Sequence, residues 1–236
     1  MTRTKLTGLP PEIRNSIFDL ALVHDGPIPI ASPRKKHVLR TQAHSNFACL
    51  LRVNKQINQE AKALFYSGNT FIIGNGYWGS TTYPNVQALK EFIKRVPKDC
   101  LALIRNVALY TYLARGYDRP SMYHKIRKEE TSQLETISRA MTKYFTGLER
   151  VSATILPLSV VAYRSYTFEI KHEDIGGDIE AVAKPLRRVL AMPSLREFCF
   201  QIESARNIEI LVAAVGEGKD NAKGMIKMVT GDGSLL

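Results

Sequence analysis

Long apolar runs are missing: nowhere do the 236 residues approach the roughly 18 consecutive apolar positions that a membrane-spanning helix needs. The opening stretch, Met1 to Leu9, is basic and polar and has no apolar segment of the kind a secretory leader carries. These absences point to an intracellular chain, cytoplasmic, nuclear or both, with no membrane contact. Cysteine is scarce too. Cys49, Cys100 and Cys199 are odd in number, sit among apolar neighbours and have no second Cys or His at metal-ligand spacing. They read as buried free thiols in a reducing compartment rather than as a disulfide or a zinc site.

Catalytic signatures are equally thin. The five histidines, His24, His37, His44, His124 and His172, show neither an HExxH nor a His-x-His spacing. Gly74, Gly76 and Gly79 are followed by no Lys-Ser or Lys-Thr helix start, so a turn explains them better than a phosphate cradle. No serine lies in a G-x-S-x-G elbow. No catalytic residue, metal or cofactor is expected, and the chain does not read as an enzyme.

What the chain has in excess is positive charge, a formal +11. Its densest run, Arg34, Lys35, Lys36 and His37 with Arg40, lies in a Pro-flanked polar stretch that reads as a loop. Aromatic and basic residues interleave farther on, at Tyr110, Tyr112, Arg115, Tyr117, Arg119, Tyr123 and Lys125. Tyrosine with arginine suits a protein hot spot, single-stranded nucleic acid or a ligand. Two readings stand open: ordinary solvated loops, or a nucleic-acid or phosphate-binding surface.

Periodicity supplies the elements. From Leu9 to Val23 apolar residues recur at helical spacing behind Pro10, Pro11 and Glu12, with Ile13, Ile17, Leu20 and Ala21 on one stripe, widened by Phe18 and Leu22. Ile28 and Ile30 around Pro29 allow a short edge strand. A second helix is expected from Phe47 to Tyr66, ended by Gly68 and Asn69 in a left-handed cap, and a strand from Thr70 to Ile73. The tail beyond Gly216 is glycine-rich and charged, and its end is expected to fray.

Between these, a rhythm organises the chain. Helices over Asn85 to Val96, Lys128 to Phe145 and Asp178 to Ala191 each lead to a strand-like segment: 104–111, 148–155 and 195–202. All three segments read apolar, two polar, apolar, any, apolar. Strands with alternate inward positions, each backed by the preceding helix, stack into a largely parallel sheet. The fold class expected is therefore α/β: an N-terminal helical module over 1–75, then irregular helix-strand repeats over 76–236. The repeats are similar to leucine-rich repeats, with a longer spacing.

Three N-terminal segments carry a resemblance. They are LPPEIRNSIFDLAL from Leu9, LLRVNKQINQEA from Leu50 and FYSGNTF from Phe65. Together they resemble the F-box-like proteins of filamentous fungi. The resemblance covers about the first 75 residues. It implies a protein-interaction module whose first helix docks on the Skp-type adaptor of a cullin ubiquitin ligase, with Leu9, Pro10, Ile13 and Ile17 at adaptor-contacting positions. It also implies that the repeats hold a substrate protein. The chain departs from the F-box pattern in the roughly 26 residues, basic loop included, that separate the first two helices. Without an adaptor, the same helices would serve as the cap that closes a repeat array.

Overall fold

The computed structural model of the chain describes residues 6–30, 50, 53–74, 86–114, 133–158, 176–202, 213, 215 and 226–229. Helix and strand alternate through them. After a 3-10 turn at Leu6–Gly8 come α1 (Pro11–Leu22), β1 (Ile28–Pro29), α2 (Lys55–Gly68) and β2 (Thr70–Ile73). Next are α3 (Val86–Arg95), α4 (Lys98–Ala102) and β3 (Asn106–Ala114). A helix over residues 133–144, α5, leads to β4 (Arg150–Leu158). The last described elements are α6 (Gly176–Leu190), β5 (Glu197–Ile202) and β6 (Ile226–Val229).

The six strands form one sheet in the order β1-β2-β3-β4-β5-β6, and every neighbouring pair is parallel. Because strand order equals chain order, every crossover steps the same way. Right-handed crossovers that never reverse gather their helices on one face of the sheet. Burial agrees with that geometry. Phe71, Ile73, Val107, Leu109, Val151, Ala153, Phe198 and Phe200, at alternate strand positions, share an apolar cluster with Leu89, Ile137, Met141, Leu186 and Val189 of the helices. Val107 lies beside Val151, and Val151 beside Phe198, so the three aligned segments are neighbours in register. Burying each such side chain is worth about 1.5–3 kcal/mol. A slip of one residue would turn the whole set away from the helices, which is what fixes the register.

Each repeat also has a buried apolar residue ahead of its strand: Ile104, Leu148 and Leu195. Gly147 precedes the second of these, and there the chain runs so close to the Ala102 carbonyl oxygen that a β-carbon would collide with it. Only glycine permits that approach. After β2 the chain turns at Gly74 with φ of 86°, again a glycine conformation.

Several expectations need correction. The second helix is not continuous from Phe47 to Tyr66: Leu50 is helical, Val53 and Asn54 are not, and α2 begins at Lys55. Asn54 is extended and its side-chain oxygen accepts a hydrogen bond from the Ile57 amide at 2.8 Å, so the asparagine restarts the helix as an N-cap. At the other end Asn69 is extended, φ −95° and ψ 153°, and not left-handed. Within the tail Ile226–Val229 pairs with Phe198–Gln201 as β6, an unexpected strand, while the end expected to fray lies outside the described residues. The backbone groups along β5 require a partner, and a short β-prone stretch inside a glycine-rich tail supplies it. Cys199 is half-exposed on the face opposite Phe198 and Phe200, whereas Cys100 is buried. Cys49 lies outside the described residues.

The separation between the first two helices is partly used by the fold. Ile28 and Pro29 pair in parallel with Phe71 and Ile72, and the Ile30 amide donates to the Ile72 carbonyl at 2.9 Å. Pro29 is on the outermost strand, where a missing donor costs little.

Candidate partner-binding surfaces

α1 is the first candidate, and its orientation is set by an ion pair. Arg14 lies on the buried side of the helix with Phe18 and Leu22. Its Nε and Nη2 donate to Glu60 Oε2 and Oε1 of α2 at 2.8 and 2.7 Å, and its Nη1 donates to the Leu9 carbonyl. The guanidinium hydrogen bonds hold the Glu60 carboxyl below the usual carboxylate range, with a further donation from Gln56 at 3.1 Å. The Arg14 guanidinium is raised above its ordinary value for the same reason, its hydrogen bond to Glu60. A fork-to-fork pair of this kind fixes rotation as well as distance.

A second clasp closes the far end. Asn69 is fully buried and donates to the carbonyls of Leu22 and Phe65 at 2.8 and 2.9 Å, while its oxygen accepts from the His24 amide at 2.8 Å. One side chain thus joins the end of α1 to the end of α2. Around it Phe65 and Tyr66 pack against Phe71, with ring centroids 5.7 and 5.9 Å away, and burial pushes the Tyr66 hydroxyl up to about 12. The FYSGNTF segment is therefore an aromatic and amide junction between helix and sheet.

With Arg14, Phe18 and Leu22 turned inward, the stripe of Ile13, Ile17, Leu20 and Ala21 faces outward. Ile13 is 49% exposed, Ile17 39% and Leu20 88%, and Ala21 is exposed as well. At about 100° per residue, Ile13, Ile17 and Leu20 form one line roughly 130° from the buried one. This orientation has a physical reason: Arg14 must reach Glu60, and it carries Phe18 and Leu22 with it as its neighbours at four-residue spacing. Leu9 is half-buried and Pro10 is exposed at the start of the helix. Leu20, the most exposed apolar member of this stripe, was not among the expected adaptor-contacting positions. The arginine inside an otherwise apolar period was the signal that could have revealed it.

The second candidate is the face of the sheet away from the helices. Ile72, Ala108, Ser152 and Cys199 form one row across it by register, the first two buried and the last two half-exposed, and Thr70, Asn106, Arg150 and Glu197 form another. At the edge where the strands begin, the two polar positions of each repeat build a charge ladder. Glu149 faces Arg105 at 3.5 Å and Arg196 at 3.9 Å, and Arg150 lies 3.9 Å from Glu197. The sequence showed these positions as merely polar; only their alignment makes the signs alternate.

Of the basic and aromatic candidates, Arg34, Lys35, Lys36, Arg40, Arg115, Tyr117 and Arg119 lie outside the described residues. Tyr112 is in β3, beside Leu156 of β4. Among the described residues no three His, Cys, Asp or Glu side chains gather as a metal site requires, and no helix is long and apolar enough to cross a membrane.

The class of protein is thereby defined: an α/β chain in which helix and strand alternate along a parallel sheet that grows in one direction. Comparison with family models, with curated proteins and with solved structures finds no match to this chain.

Proposed function

We propose that the chain is a non-enzymatic protein-interaction module of the F-box-like kind, in which α1 docks on a Skp-type adaptor of a cullin ubiquitin ligase and the repeat array holds a substrate protein. The observation that carries this reading is the exposed line of Ile13, Ile17 and Leu20. Apolar anchors at i, i+4 and i+7 on a rigid helix suit insertion into a partner's groove. Each anchor gains about 1.5–3 kcal/mol if a partner covers it fully. The Arg14–Glu60 pair supports the reading, because it holds the helix at one rotation and so keeps the anchors presented. The resemblance of the LPPEIRN, LRVNKQI and FYSGNTF segments supports it independently. Leu9 and Pro10 would border the adaptor contact, and the module would work in the cytoplasm, the nucleus or both.

Affinity purification from a fungal lysate followed by mass spectrometry tests this directly. The wild type is expected to recover the adaptor and cullin, and Ile13→Asp with Ile17→Asp to lose both while its circular dichroism is unchanged. Equal recovery by the folded variant, or no adaptor with the wild type, overturns the proposal. The other reading, a nucleic-acid or phosphate-binding protein, has the net charge of +11 behind it. A steep fall in heparin retention with salt would favour it.

A further inference from the structure

We infer that the groove between α3 and α5 is a docking site for an acidic, amphipathic peptide segment of a partner protein. The groove has a volume of about 720 Å³ and is walled by α3, the start of α4 and α5. Its floor is apolar: Ile93, Val96 and Ala140 are half-buried and rest on the core. Its rim is cationic, with Lys90, Lys94 and Lys98 on one side and Arg139 and Lys143 on the other, all exposed. Among the described residues no Asp or Glu lines it.

Among the described residues, nearby carboxylates neutralise Arg139 of that rim but pair with none of its four lysines. Glu91 faces Arg95 at 4.0 Å, Asp99 holds Lys62 at 2.8 Å, and Glu135 pairs with both Arg139 and Arg188 at 2.8 Å. Among the described residues Lys90, Lys94, Lys98 and Lys143 form no ion pair. Four unopposed lysines around a hydrocarbon floor require an occupant with carboxylates at its edges and apolar side chains beneath.

Shape and chemistry select the peptide over other polyanions. α3 has 10 residues, so that wall is about 15 Å long, close to three helical turns. Single-stranded nucleic acid wants open aromatic faces for stacking. Tyr144, the aromatic residue in the groove, has the Lys143 Nζ 5.2 Å from its ring centroid, so a cation already takes its face. A bilayer presents a broad surface and does not follow a concave floor. The site uses no residue of α1, and its fate is separate from that of the adaptor reading.

Fluorescence anisotropy on the full chain tests it with a synthetic helix of about twelve residues, leucines at i, i+3, i+4 and i+7 and glutamates elsewhere. The wild type is expected to bind this peptide. Lys94→Glu with Lys143→Glu should weaken binding about tenfold or more, as should Lys90→Glu with Lys98→Glu, since each reversal removes an attraction and adds a repulsion. A peptide of the same charge with serine for leucine should bind about tenfold more weakly, reporting the apolar floor. No binding, affinity unchanged in both folded variants, or indifference to the leucines each overturns the inference. So does tighter, reversal-sensitive binding of poly-uridine RNA or of phosphatidylserine vesicles.

Discussion

α1 is oriented on α2 by polar contacts added to an apolar cluster that Phe18 and Leu22 share with Ile57 and Ala61, whereas the helices of the array meet β3, β4 and β5 through hydrocarbon alone. At the first junction the contacts that set geometry are Arg14 with Glu60 and Asn69 with three backbone groups. At the second they are Phe198, Phe200, Val151 and Leu109 against Ile137, Met141 and Leu186. Hydrophobic burial is strong and non-directional, and it acquires a register only because the same inward positions recur in strand after strand. Hydrogen bonds contribute less net free energy but specify direction. The directional contacts add a fixed rotation to what the burial of Phe18 and Leu22 supplies, and Ile13, Ile17 and Leu20 stay exposed.

Three substitutions would break or sharpen that contrast. The largest effect is expected in the array: Phe198→Ala removes a fully buried ring 4.7 Å from that of Phe200 and should cost about 3–5 kcal/mol in urea unfolding. At the polar junction, Asn69→Leu keeps the volume but leaves the His24 amide and the Leu22 and Phe65 carbonyls without that partner. A loss of about 2–4 kcal/mol is expected, and a cost under half a kilocalorie would show that the clasp does not hold the two helices.

The smallest effect should come from Glu60→Gln, which keeps shape and one acceptor oxygen. The folded carboxyl of Glu60 is held low by its hydrogen bond from Arg14, so the stability it contributes is complete above the ordinary glutamate range, about pH 4. That stability is lost as the pH falls through the depressed folded value. Urea midpoints of wild type and variant should therefore differ at neutral pH and converge in acid. A gap that stays constant down to acid pH would remove Glu60 ionisation from the account.

Much of the array was legible as sequence. The segments from Ile104, Leu148 and Leu195 align because each strand buries the same alternate positions, and burial by period survives any change in the residues between. Helix positions over the array followed for the same reason, with α3 and α6 within a residue or two of expectation. α4 went unseen because five residues carry too little period to read. β6 was hidden by the glycines around it, since a four-residue strand is defined by the edge it joins and not by its own composition.

The surfaces divide along the same line. Apolar spacing announced that α1 is amphipathic, but Ile13, Ile17 and Leu20 and the set of Phe18 and Leu22 are both consistent with its period. Which of them faces the core was decided by where Glu60 stands, 46 residues away in the chain. The lysines of α3 and α5 are dispersed charges in the sequence, and only the approach of the two helices makes a rim of them. Sequence determines what is local and periodic: where helices and strands form and which strand positions go inward. The choice between two possible faces, the pairing of Arg14 with Glu60, the ladder at Glu149 and the cationic groove depend on residues far apart in the chain. Their distances exist only once the sheet has brought the elements together, so the tertiary structure alone could decide them.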